Sequence, residues 1–155
     1  MDFDYNKYRF TEPLFHPNVA IKTELHKHLD PNKELNLLEI GNYEGLSSCF
    51  LSDNYLNHKD SILHCVDPYY VDPLFICGTV ITEETEKMFL DNIAKSKNYK
   101  KIIVNKKTSD DFFKNNNILY DFIYIDGNHE KEYITKDIIN RRSTLIISVL
   151  TLKGY

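Results

Sequence analysis

Short apolar runs alternate along this chain with longer stretches in which apolar residues recur every three or four positions. LNLLEI (from Leu35), SILHCV (from Ser61), KIIV (from Lys101), DFIYI (from Asp121) and TLIISVL (from Thr144) read as strands. Between them lie helical patterns. Pro17 and Asn18 open a helix whose Ile21, Leu25 and Leu29 share a face, and Asp30-Pro31 ends it, because a residue before proline avoids helical angles. Leu46 to Tyr55 forms a second helix, with Leu46, Cys49, Phe50 and Asp53 on related faces. Thr82 caps a third, where Glu83, Glu84 and Glu86 complement the positive helix end and Phe89 and Ile93 face the core. Ser109 caps a short helix through Phe113, and Glu130 to Arg141 packs through Ile134 and Ile138. The first dozen residues show no period and read as a loosely held arm.

Strand alternating with helix predicts an α/β fold: a Rossmann-like, doubly wound, mostly parallel sheet of about five strands. The strands are near-continuous apolar runs, as expected where helices cover both faces. In such sheets a ligand binds beyond the carboxyl ends of the strands, where the strand order reverses. The residues that follow the strands therefore matter most. They are Glu39-Ile40-Gly41-Asn42-Tyr43-Glu44-Gly45, then Asp67, then Thr108, Ser109 and Asp110, then Asp126-Gly127-Asn128-His129.

Composition narrows the class. A chain of 155 residues with 42% hydrophobic and 27% charged positions reads as one globular domain over 1–155. Its net charge of −4 does not suggest a protein held to nucleic acid by bulk charge. The lysines from Lys95 to Lys107 read as a solvated helix end and loop. Three cysteines without a CxxC pair or signal peptide fit a reduced, cytoplasmic setting, with Cys65 a small core residue. The run TLIISVL is too short to span a bilayer.

The chain has only five glycines, and Gly41 and Gly45 stand four apart directly after the first strand. A dinucleotide fingerprint laid from Gly41 puts Tyr43 and Leu46 where its later glycines belong, and no Gly-Lys-Ser/Thr follows. The turn is therefore bent by glycine but not built for phosphate, and Glu39 suits a cationic group instead. An NAD-dependent oxidoreductase is the weaker reading for the same reason.

Glu-x-Gly-x-x-x-Gly, an acid after the second strand, and YIDGNH at the fourth together resemble the class I S-adenosylmethionine-dependent methyltransferases. The small O-methyltransferase-like group with an Ile-Asp-Gly-x-His motif is the nearest in pattern. The resemblance covers about Val19 to Ile139. It implies that Glu39, Gly41, Tyr43 and Gly45 hold the methionine part of the cofactor and Asp67 the ribose. Thr108 and Ser109 stand where the family places a Gly-Asp-Ser near the adenine, so the usual carboxylate is missing there; Asp110 and Asp111 read either as substitutes for it or as first-turn acids of the helix.

His129, Tyr133 and Asp137 line one helix face. For a hydroxyl acceptor a proton must be removed, and histidine titrates near neutrality, so His129 is the candidate general base. Asp126 is placed to orient it or contact the cofactor, and a divalent ion at Asp126 is a less favoured alternative. His26 and His28 diverge on a helix, and His16, His58 and His64 show no ligand spacing. Tyr69 and Tyr70 either stack on a base or pack the loop.

The family pattern breaks after Arg142. NRRSTLIISVLTLKGY has neither the usual glycine-rich turn before the fifth strand nor the acid after it, and the expected C-terminal hairpin is lacking. An uncovered strand edge makes a homo-oligomer plausible. The resemblance thus implies an S-adenosylmethionine-dependent O-methyltransferase acting on a small-molecule or sugar hydroxyl. The alternative is a non-catalytic cofactor-binding or interaction protein on a shortened fold. No membrane partner is expected.

Overall fold

The computed structural model describes residues 3–11, 25–69 and 81–127, and the backbone of Ser143–Ser148. Five strands form one sheet: β1 (Asn36–Ile40), β2 (Ile62–Val66), β3 (Ile102–Asn105), β4 (Tyr120–Ile125) and β5 (Ser143–Ser148). Their spatial order is β3-β2-β1-β4-β5, and every pairing is parallel. The order reverses between β1 and β4, and in sheets of this kind a ligand binds beyond the strand ends at that point. Each strand expected from the apolar runs is present, within a residue or two of its expected bounds.

Three helices connect the described strands: α1 (Leu46–Tyr55), α2 (Glu83–Lys95) and α3 (Ser109–Phe113). The sheet separates two apolar clusters. Leu37, Leu63, Cys65, Phe122 and Tyr124 face α1 and α2, meeting Cys49, Phe50, Tyr55, Phe89 and Ile93. Leu38, Ile40, Val66, Ile123 and Ile125 project to the other face, where Phe112 of α3 covers them. This alternation is the period-2 rule of strands. It also decides where Glu39 goes, because Glu39 shares a face with Leu37 and points beneath α1.

Thr82 caps α2 as its sequence implies, and the Thr82 N–H donates to the Thr85 hydroxyl at 3.0 Å. Thr108, rather than Ser109, caps α3: its hydroxyl accepts the Asp111 N–H at 3.2 Å. The reason is positional. A cap needs extended backbone one residue before the first helical one, and Thr108 has it (φ −68°, ψ 157°).

Of the expected N-terminal arm, residues 3–11 are docked rather than loosely held. Phe3 and Tyr8 are buried in the α1–α2 cluster, with Phe3 stacked on Tyr8 and edge-on to Phe50. The Tyr8 hydroxyl donates to Asp53, which also accepts from Ser96 and from the Lys97 N–H. Residues 12–24, including Pro17, Asn18 and Ile21, lie outside the described residues, as do 70–80, 128–142 and 149–155. Leu25 and Leu29 are buried as their spacing predicts. No helix among the described residues is long and apolar enough to cross a membrane.

Candidate functional site

The turn after β1 is held at both ends by backbone bonds. The Gly41 N–H donates to Val66 O at 2.9 Å, and the Asp126 N–H to Ile40 O at 2.8 Å, so the ends of β2, β1 and β4 are tied together. Gly41 has φ +82° and could not carry a side chain: a Cβ there would lie 2.5 Å from Asp126 O and from Gly127 Cα. Gly45 has φ +84° and opens α1 as its N-cap. A Cβ at Gly45 would lie 2.8 Å from the Phe89 ring. The two glycines are thus required by backbone geometry and by close packing against β4 and α2.

Tyr43 stands between them with φ +47°, and Tyr69 beyond β2 with φ +50°. Left-handed backbone is costly for a bulky residue, about 1–2 kcal/mol. Both tyrosines are held there by the same carboxylate. Asp67 Oδ2 accepts the N–H groups of Asn42 (2.8 Å) and Tyr43 (3.3 Å), and Oδ1 accepts that of Tyr69 (2.9 Å). Burial pushes the Asp67 carboxyl up, while the Tyr69, Asn42 and Tyr43 amides pull it back. A buried carboxylate satisfied by backbone donors is an organiser of the turn. Tyr69 packs on Phe89 with ring centroids 5.5 Å apart, and burial raises its hydroxyl pKa well above the ordinary value.

Glu39 lies a layer lower, fully buried (0% exposed). The Ser47 and Ser48 hydroxyls in the first turn of α1 donate to its two oxygens. Burial pushes its carboxyl up to about 7, opposed by the two hydroxyls and reinforced by the charge of Asp126. Asp126, half-buried at the end of β4, accepts the Tyr124 hydroxyl at 3.1 Å. Burial first, and Asp126 second, raise the Tyr124 pKa. Extending the strand register by one residue puts Asp67 and Asp126 on either side of Gly41. The rim therefore presents carboxylates on one face, but both Glu39 and Asp67 already bond to the protein's own donors.

The Asn42 side chain differs: it is 3% exposed, and among the described residues neither of its amide atoms has a hydrogen-bond partner, nor does the buried Tyr69 hydroxyl. The Asn42 amide lies near enough to favour the charged form of Glu39 without making a bond of good geometry. A buried unpaired amide is expensive and marks a place where a polar group is wanted.

Of the other expected site residues, Thr108 is engaged as the α3 cap, and Ser109 begins that helix beside it. His129, Tyr133, Asp137 and Tyr70 lie outside the described residues. His58, for which the sequence shows no ligand spacing, converges with Glu34 and Asp60 at the opposite, N-terminal rim, within reach of a shared ion.

Sequence reasoning passed over the residues that brace the turn from outside. Asn92 of α2 is fully buried. Its Nδ2 donates to Arg9 O (2.7 Å) and Glu44 O (2.9 Å), and its Oδ1 accepts the Arg9 N–H (3.0 Å). Glu44 in turn accepts the Thr11 N–H at 2.6 Å. A readable signal existed: Asn92 sits on the apolar stripe of Phe89 and Ile93, where a polar residue needs a buried partner.

Residues 38–148 match a family model described as a methyltransferase domain. Among solved structures, cofactor-bound Rv0187 from MTB aligns with TM-score 0.54 at 16% identity, over 73% of this chain and 47% of that one. The O-methyltransferase from Bacillus cereus in complex with SAH aligns with TM-score 0.54 at 18% identity, over 73% and 48%. Likeness at these identities is likeness of fold, and the chain spans about half the length of either structure. No curated protein matches the chain.

Proposed function

This chain belongs to the methyltransferase-domain family, and from that premise we propose that it binds S-adenosylmethionine at the glycine turn and methylates a hydroxyl of a small molecule or sugar. The observation that carries the reading is the left-handed turn 41–45, clamped by Asp67 and abutting Asp126 where the strand order reverses. The residues fit such a ligand in two respects. Carboxylates rather than cations flank Gly41, which suits a sulfonium and ribose hydroxyls and repels phosphate. The unpaired Asn42 amide offers a donor and an acceptor to the ligand's amino-acid end.

In this reading Glu39, Gly41, Tyr43 and Gly45 shape the methionine side, Asp67 meets the ribose, and Thr108 and Ser109 lie toward the adenine. S-adenosylmethionine supplies an electrophilic methyl group. The chain's own residues align the acceptor oxygen and remove its proton. His129 takes that proton, and Asp126, three residues earlier, steadies it. A divalent ion at Asp126 is not required by this scheme.

The reading is tested by calorimetry with S-adenosylhomocysteine. Binding at micromolar to submillimolar ligand is expected, with no comparable binding of NAD. Folded protein that binds nothing at millimolar ligand overturns it.

A second reading is a cofactor-binding or interaction protein without transfer, and one observation favours its interaction half. The carboxylates of Glu39 and Asp67 are already engaged by two hydroxyls and by three backbone amides. Transfer of label from methyl-labelled cofactor to any acceptor in a cell extract excludes that reading.

A further inference from the structure

The turn 41–45 is braced on its inner side by Asp67 and on its outer side by residues far away in sequence. The outer brace consists of Asn92 and the backbone of residues 9–11, and both attach to the turn through its own Glu44. Asn92 pairs with both backbone groups of Arg9, as a neighbouring strand would, and uses its remaining amide hydrogen on Glu44 O. The Glu44 carboxylate closes the ring on the Thr11 N–H. Glu44 is itself buried and sits between the two left-handed residues Tyr43 and Gly45. Phe89, one turn before Asn92, fills the space that a Cβ on Gly45 would need. One face of α2 thus holds both the glycine turn and the N-terminal segment.

We propose that Asn92 is a positioning residue, and that the glycine turn keeps its binding shape only while the N-terminal segment is docked. The Asn92 to Glu44 bond is buried and the other three in this ring are half-buried, so losing the Asn92 amide leaves the buried Glu44 carbonyl unpaired and releases the backbone of the exposed Arg9. The backbone at Tyr43 is strained, and strained backbone persists only where its surroundings over-determine it. Loosening the outer brace therefore lets the turn relax towards unstrained angles. Tyr8 anchors the same segment through its hydroxyl to Asp53 on α1, a bond outside the ring around Glu44. Docking of the segment and binding at the turn are then linked, and each strengthens the other.

The affinity half of the test rests on the methyl-donor reading; the exchange half does not. Amide hydrogen exchange is followed in the full-length, ligand-free protein for wild type, Asn92→Ala and Tyr8→Phe, at a temperature where all three are folded. Both variants are expected to speed exchange in residues 9–11 and 41–45 together, and to weaken S-adenosylhomocysteine binding tenfold or more. Bound ligand is expected to slow exchange at Arg9 and Thr11 in the wild type. Tyr8→Phe is the discriminating arm, since a purely local role for Asn92 gives that variant no effect on the turn. Faster exchange in residues 9–11 with unchanged exchange in 41–45 overturns the proposal, as does unchanged affinity in both variants. If the wild type binds no S-adenosylhomocysteine, the methyl-donor reading fails and the exchange pattern alone decides the coupling.

Discussion

Replacing Glu39 with glutamine tests how the floor of the site is built. In the unfolded chain this carboxyl titrates near 4.5, and in the folded protein burial moves it to about 7. Well below pH 4.5 both states hold the proton and the group contributes no pH dependence. As pH rises from there towards 7, the unfolded chain ionises while the folded protein keeps its proton, so stability falls. Above 7 both states are ionised and the loss is constant. At 1.36 kcal/mol per pH unit, the gap amounts to a loss of about 3 kcal/mol. Glutamine fits the same space, carries no charge, and can bond to Ser47 and Ser48 because hydroxyl hydrogens rotate. The Glu39→Gln variant should therefore gain about 3 kcal/mol on the wild type between about pH 4.5 and pH 8, whatever fixed offset separates them. Urea unfolding at intervals across that range, with m checked for constancy, measures the difference directly. Parallel profiles for the two proteins would show that Glu39 is not a buried carboxyl held by hydroxyls, and the reasoning would be refuted.

Other substitutions probe the rim. Asp67→Ala leaves the N–H groups of Asn42, Tyr43 and Tyr69 unpaired, so it should destabilise by about 3 kcal/mol or more as well as weaken ligand binding; binding lost at unchanged Tm contradicts the clamp. Tyr43→Gly relieves a φ of +47° and should leave stability unchanged or raise it by up to about 1 kcal/mol in urea unfolding; a large loss would mean that the ring, not the backbone, matters. Gly45→Ala meets both the left-handed angle and the Phe89 ring, and should cost about 2–3 kcal/mol, with Phe89→Leu recovering part of it. His129→Ala should spare S-adenosylhomocysteine affinity and abolish turnover in a methyl-transfer assay.

The sheet was legible because a parallel strand covered on both faces is an unbroken apolar run: LNLLEI and DFIYI mark β1 and β4 with little ambiguity. The turn was legible from Gly41 and Gly45, whose positive φ values are the reason for the residue type. The backbone at Tyr43 was not, because the angle that a second glycine would supply is imposed there by Asp67, twenty-four residues away in sequence. The inward aim of Glu39 could have been read from its alternation with Leu37, although its partners Ser47 and Ser48 could not. The docking of residues 3–11 was hidden for a physical reason. It rests on bonds such as Arg9 to Asn92, which span 83 positions and leave no local period.

The central claim is that the glycine turn, Asp67 and Asp126 together form a binding site for a positively tipped nucleoside. A crystal structure of the protein soaked with S-adenosylhomocysteine tests it most directly. The account expects the ligand's amino-acid end against residues 41–45, beside Asn42, with its ribose at the end of β2. Ligand bound elsewhere, or a crevice between β1 and β4 packed solid with side chains at saturating ligand, would contradict it.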